Sequence, residues 1–404
     1  MLCFVIIDLQ DSGLVIILLL FYVVLTKSVV NFSYRNYFSF FSHPAHGSGL
    51  KAWMKTLSNN NFAFDAWYFP KVLFISISIL LSTPFRVFEK MWYRKAIAKV
   101  KIKEPIFILG HPRSGTTFLH YLMSKDPSFS FCSTYQAMIP HLFLSGSKIF
   151  PALLSGVLPT KRPMDNLKLG SHLPKEEEFA MASMGAESLV SGYYFPKYFM
   201  NNFRDHVVFA GADINSESKW KNNFEYLLKK LSYANKGKRL LLKSPGNTGR
   251  IKQILELYPD AKFIHIYRDP YHVYQSNLHL YKKLLPMLSF QSIGAEAVDK
   301  FVIESYELLM KKYFSDRELI DTNNLVEIRY EEFEQNPLKA LEGVYSKLGL
   351  DGFSTTEIFI SEELKSYQNY EKNVFQMNLV EKEKIEKQWG FAFEKLGYST
   401  ALTS

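Results

Sequence analysis

The stretch EPIFILGHPRSGTTFLHYLMSK, residues 104–125, decides how this chain folds. Residues 105–109 are a short apolar run that reads as a strand. Gly110 to Thr117 form a glycine-bounded loop, and a helix is expected from Phe118 to Lys125. Strand, glycine loop and helix in that order aim successive backbone N–H groups and a helix N-terminus at one anion. Gly115 lets the backbone approach that anion closely, and the hydroxyls of Thr116 and Thr117 add donors. The spacing is G-x-x-x-x-G, but Thr116 stands where a nucleotide triphosphatase carries its lysine. That lysine contacts the β- and γ-phosphates, so its absence argues against ATP or GTP cleavage. The compensating cation is Arg113, whose planar fork suits several anionic oxygens.

Three further strands are expected downstream, at 239–243, 262–267 and 325–329. With the first, near 105–110, they define an α/β fold: a mainly parallel sheet flanked by helices, like that of P-loop nucleotide kinases. Arg268 follows the strand at 262–267, and Ser276 lies eight residues on. A guanidinium and a hydroxyl can clamp a phosphate monoester.

These segments together carry a family resemblance. Residues 112–118 (PRSGTTF) resemble the 5′-phosphosulfate loop of sulfotransferases that use 3′-phosphoadenylyl sulfate (PAPS), and residues 268–276 resemble their 3′-phosphate motif. RLLLKSP at 239–245 and LVEIRYEEF at 325–333 match two further strand ends, in the right order. The match runs over about residues 104–350 and lies nearest the bacterial branch. It implies PAPS as cosubstrate, held by Arg113, Ser114, Gly115, Thr116 and Thr117. It also implies Phe118 and Tyr330 at the adenine, Arg268 and Ser276 at the 3′-phosphate, and Lys243 beside the reacting group. No metal is expected, because the loop supplies the positive potential.

The catalytic base does not follow from the resemblance. Pro245 stands where cytosolic members have a histidine, and residues 132–136 hold no carboxylate. The bacterial branch has an acidic segment in between, and here residues 174–179 read PKEEEF, with His172 just before. Consecutive glutamates at a helix start cannot all face one point. The candidates rank Glu177 first, Glu176 second and His172 third. No Lys-Gly pair in Ser366–Asn378 matches the element that closes over the 3′-phosphate in cytosolic members.

Composition sets the surroundings. The chain has 404 residues, a formal charge of +9, 47% hydrophobic residues and two cysteines. Disorder, a disulfide framework and a cysteine-based zinc site are excluded. Residues 1–103 are read as a hydrophobic, membrane-associating extension. Gly13–Val30 is a marginal span, and Val72–Phe85 is an uncharged stretch too short to cross. After it comes a basic amphipathic helix, with Arg86, Lys90 and Arg94 on one face and Phe88, Met91 and Trp92 on another. Asp8 and Asp11 precede the apolar run Leu14–Leu25 of the first segment, and Lys27, Arg35 and Lys51 follow that run. If that segment spans, the positive-inside rule places the remainder in the cytosol.

Residues 104–404 are expected to form the catalytic domain, with 130–235 a largely helical insert that binds the acceptor. The positive charge is assigned to the cofactor and a membrane surface, not to nucleic acid. The acceptor is expected to be a small hydroxylated molecule: a lipid, sterol or glycolipid. Two other classes stay open: a P-loop nucleotide kinase-like phosphotransferase, and a non-catalytic membrane scaffold.

Overall fold

Five short runs of aliphatic and aromatic residues pair into one parallel sheet: β1 (Ile106–Leu109), β2 (Phe129–Ser130), β3 (Arg239–Lys243), β4 (Lys262–Tyr267) and β5 (Leu325–Arg329). Their order across the sheet is β2-β3-β1-β4-β5. This computed structural model describes residues 42–400 except 163, 166, 212–213 and 368–374. Gly13–Val30, Asp8, Asp11, Lys27 and Arg35 lie outside the described residues, as does part of Ser366–Asn378.

A parallel sheet needs crossovers that cover both faces, so its strands read as unbroken apolar runs rather than alternating ones. Successive side chains still point to opposite faces. Phe107, Leu109, Leu240, Leu242 and Phe263 enter one core, against the helices Ile214–Ala234, Pro270–Leu288 and Ala295–Asp316. Ile106, Ile108, Leu241, Ile264 and Ile266 enter the other, against Thr116–Met123 and Pro337–Leu348. In the central register Phe107 pairs with Leu242 on one side and Phe263 on the other. The four expected strands are present. The two-residue edge strand β2 is too short for any periodicity to mark it. The segment 130–235 is largely helical, and the C-terminal helix Leu379–Leu396 docks through Trp389, Phe393 and Leu396.

The N-terminal region differs from its expected form. The uncharged stretch and the basic helix are one continuous helix, Phe69–Ala98, with Pro84 inside it. Its Val72, Ile75 and Ile79 share a core with Phe107 of the sheet. Arg86 does not join Lys90 and Arg94 on an outer face. It is buried and donates to the carbonyl of His46 at 2.6 Å. Glu89 is buried too, paired with Lys230 at 2.6 Å and accepting from the Ser145 N–H at 2.8 Å. Beside the exposed Lys90, Arg94 and Lys95, much of what points outward is apolar: Phe69, Leu73, Ile77, Leu80, Phe88, Met91 and Trp92. Among the described residues, Ala66–Ala98 is long and apolar enough to cross a membrane.

Candidate active site

The carboxyl ends of β1, β3, β4 and β5 open into one cavity of about 470 Å³. Ligands in open α/β sheets bind at this edge, where the strand order reverses. Each strand delivers its residue there for the same reason: the chain leaves the sheet at that end.

Leaving β1, the chain turns sharply. Gly110 and Gly115 have φ of +146° and +99°, and Arg113, a non-glycine residue, has φ of +74°. A Cβ on Gly115 would lie 2.3 Å from Cδ2 of Tyr330, so the loop backbone sits directly against that ring. The Ser114 hydroxyl donates to the His111 carbonyl at 2.8 Å and stabilises the turn from inside; it does not line the cavity. The helix beginning at Thr116 has no side-chain cap, so its first N–H groups are left for another partner.

Arg113 Nε donates to Ser276 Oγ at 2.9 Å, and its Nη1 to Asp165 Oδ2 at 2.6 Å. Thr117 Oγ1 lies 3.3 Å from Lys243 Nζ and 3.2 Å from Arg162 Nη1.

Arg268, just past β4, lies over the Tyr330 ring at 4.1 Å. Its Nε is buried without a hydrogen-bond partner. A buried guanidinium donor left unpaired is costly, and an anion would satisfy it. Tyr330 begins where β5 ends. Phe118 packs at 5.5 Å from Phe333 and 5.2 Å from Tyr367, and Phe118, Tyr330 and Tyr367 all line the cavity.

The three glutamates point three ways, as their spacing requires. Glu178 is buried beneath the site, its carboxylate gripped by both Nη atoms of Arg250 at 2.6 and 3.0 Å. Glu177 is fully buried and accepts from Asn247 Nδ2 at 2.6 Å and from the Lys243 N–H at 3.2 Å. Burial pushes its carboxyl up to about 7. It does not line the cavity. Glu176 does, and it pairs with Lys243 Nζ at 2.5 Å. Burial would raise the Glu176 carboxyl, but the charges of Lys243, Lys175 and Arg162 together hold it below the ordinary carboxylate value. Of the three consecutive glutamates, the one that lines the cavity is Glu176, the second-ranked candidate, and not the first-ranked Glu177. His172 is exposed, packs against Tyr135 at 6.0 Å and lies off the cavity.

Sequence reasoning missed Arg162, Asp165, Lys175 and Tyr193, which also line the cavity. No motif marks them. They belong to the helical insert, where only the folded chain reveals which side chains turn toward the loop.

The sequence pattern of the sulfotransferase family matches residues 105–355. Omega-hydroxy-beta-dihydromenaquinone-9 sulfotransferase Stf3 of Mycobacterium tuberculosis is 31% identical over 355 residues, 87% of this chain and 90% of that protein. Stf3 of Mycobacterium bovis matches to the same extent. Among solved structures, sulfotransferase STF1 from M. tuberculosis has a TM-score of 0.62 at 15% identity, covering 85% of this chain and 92% of that one. Sulfotransferase STF9 from Mycobacterium avium has 0.59 at 15% identity, covering 88% and 98%. At such low identity those two speak to the fold alone. The chain belongs to the sulfotransferase family. It is therefore a transferase, and the family implies a sulfonate donor; the phosphotransferase and scaffold alternatives are set aside.

Proposed function

We propose that this sulfotransferase takes the sulfuryl group from PAPS and places it on the hydroxyl of a lipid acceptor at a membrane surface, with residues 104–404 as the catalytic domain. One observation carries the reading. A single cavity gathers Arg113, Thr117, Lys243, Arg268, Ser276 and Tyr330, all from strand ends or the loops and helices that follow them. The unpaired Nε of Arg268 and the uncapped start of the helix Thr116–Met123 fit an anionic nucleotide.

When bound, PAPS supplies a sulfuryl group that passes to the acceptor oxygen as its bond to the 5′-phosphate breaks, leaving adenosine 3′,5′-bisphosphate. Arg113, Lys243 and the loop N–H groups hold the anion and stabilise charge on the departing phosphate oxygen. These cations and N–H groups do this without a metal. Arg268 and Ser276 orient the 3′-phosphate, and Phe118 and Tyr330 hold the adenine. Glu176 takes the proton from the acceptor hydroxyl. Lys243 keeps that carboxylate ionised, and a move of Lys243 toward the anion would leave Glu176 free to accept the proton.

Two features support the lipid. The relative Stf3 is named for an omega-hydroxy-beta-dihydromenaquinone-9 acceptor. In this chain, Met164, Phe179, Leu280 and Leu284 line the same cavity as Glu176, from the insert and the helix Pro270–Leu288. The outward apolar face of Phe69–Ala98, with Lys90, Arg94 and Lys95 exposed near its end, suits an anionic leaflet on the cytosolic side.

Calorimetry with adenosine 3′,5′-bisphosphate tests the donor. Equal binding with and without Mg²⁺ is expected; no binding, or binding only with Mg²⁺, would overturn the reading. A labelled-sulfate screen over prenylated quinols, sterols, long-chain alcohols, phenols and glycans tests the acceptor. Transfer confined to phenols or glycans would refute the lipid assignment.

A further inference from the structure

One end of the cavity is built by a piece of chain that no motif marks. Residues 160–162 and 167–169 run antiparallel to each other: Lys161 and Lys168 form a bridge, the Arg162 N–H donates to the Leu167 carbonyl at 2.8 Å, and the Leu169 N–H to the Thr160 carbonyl at 2.9 Å. The hydroxyl of Tyr121, on the helix that follows the anion loop, donates to the Lys168 carbonyl at 2.9 Å and fixes this ribbon over the loop. Two charged side chains descend from it. Arg162 reaches Thr117 Oγ1 through Nη1 at 3.2 Å and Asp165 Oδ1 through Nε at 3.3 Å. The other oxygen of Asp165 accepts from Arg113 at 2.6 Å. One carboxylate therefore sits across two guanidinium groups, and it is only 4% exposed.

A carboxylate beside an anion-binding loop is repulsive to the ligand unless it does something else. Burial would raise the Asp165 carboxyl, but Arg162 and Arg113 outweigh that and hold it low, so it stays charged. Its two bonds aim both forks. Around this end of the cavity stand Arg113, Arg162, Lys175 and Lys243 against Asp165 and Glu176. That is four positive groups against two negative, an excess of two. Arg268, over the Tyr330 ring, is a separate cation left for the 3′-phosphate.

We infer that Arg162 is a further anion ligand of the sulfuryl group itself, and that Asp165 is the positioning residue that sets Arg162 and Arg113 in register. This rests on the PAPS reading above. Thr117 is shared by Arg162 from the insert and Lys243 from β3, so the sulfuryl oxygens would be approached from both sides of the acceptor path. The insert that houses the acceptor would then also complete the donor site.

The two ligands PAPS and adenosine 3′,5′-bisphosphate differ by the sulfuryl group alone, and their affinities for the full chain test this directly. For Arg162→Gln, PAPS affinity should fall by about 10–100-fold, the range for a lost charge-assisted bond. Bisphosphate affinity should stay within about threefold, which also shows that the variant is folded. Arg162→Lys should recover part of the loss, since it restores the charge but not the fork. Asp165→Asn should widen the same ratio by a smaller factor. Equal losses for both ligands would make Arg162 an anchor of the nucleotide or of the fold, and no loss for either would remove it from the site; each outcome overturns the inference while leaving the PAPS reading intact. If the unaltered protein binds neither ligand, the PAPS reading itself fails.

Discussion

The cavity at the sheet edge and the long N-terminal helix both place charged side chains in apolar surroundings, yet they use them in opposite ways. In the helix Phe69–Ala98 most inward charges are engaged with the protein itself. Lys71 donates to the Met287 carbonyl at 3.0 Å, Glu89 is paired with Lys230, and Arg86 is bonded to the His46 carbonyl through Nη2, although its Nε and Nη1 are buried without partners. Much of its outward surface is apolar, with Met91 and Trp92 each about 70% exposed. In the cavity the charges face the space, and donors such as Arg268 Nε remain unmatched. An unmatched donor such as those of Arg86 does not by itself mark a ligand site; at Arg268 it is combined with a place on the cavity lining, and that combination is what points to a ligand.

Breaking each side of this contrast should give different phenotypes. Arg113→Ala should reduce transfer by about 10³-fold or more, because it removes a cation that acts on developing charge. Its thermal midpoint should stay near that of the parent, since Arg162 still pairs with Asp165 and Arg113 takes no part in the apolar cores. Near-normal transfer in a labelled-sulfate assay would end the donor assignment.

Lys230→Met should do the reverse. It leaves Glu89 buried without its counter-charge, and chemical denaturation should show a loss of roughly 3–4 kcal/mol, with bisphosphate affinity per folded molecule unchanged.

Glu177 sharpens the contrast from within the site region, because it is a buried carboxylate that serves structure. Its carboxyl stays protonated in the fold up to about 7, above its unfolded value. As pH rises from the ordinary carboxylate range toward 7, the unfolded chain loses this proton first, so stability falls through that window. The loss should be roughly 2–3 kcal/mol. Glu177→Gln should flatten this part of the pH–stability curve, with Asn247 Oδ1, unpartnered in the native fold, available to accept from the new amide. An unchanged slope would show that the pH dependence lies elsewhere.

The smallest effect concerns the outward face. Met91→Ser with Trp92→Ser should weaken binding to vesicles of phosphatidylglycerol and phosphatidylcholine by about tenfold. The thermal midpoint should not move, as both side chains are exposed. Unchanged co-sedimentation would detach this helix from the membrane reading.

The parts legible in the sequence are those whose cause is local. A glycine loop between an apolar strand and a helix can do little else than present N–H groups, and four such strand ends announced the sheet and most of the cavity floor. Arg113, Thr117, Lys243, Arg268, Ser276 and Tyr330 all line the cavity, and each follows directly from a recognisable element. What stayed hidden depended on how one element is rotated against another. Residues 176–178 are three identical letters, and their rotation against β3 alone sends Glu176 to the cavity, Glu177 beneath Lys243 and Glu178 to Arg250. Arg162 and Asp165 gain their meaning only when a ribbon some 45 residues beyond the loop is laid back over Thr117. The sheet, the anion loop and the family are legible in local sequence; tertiary packing sets which of the three glutamates lines the cavity, because contacts between distant segments, unlike strand and turn propensities, are not encoded at any single site.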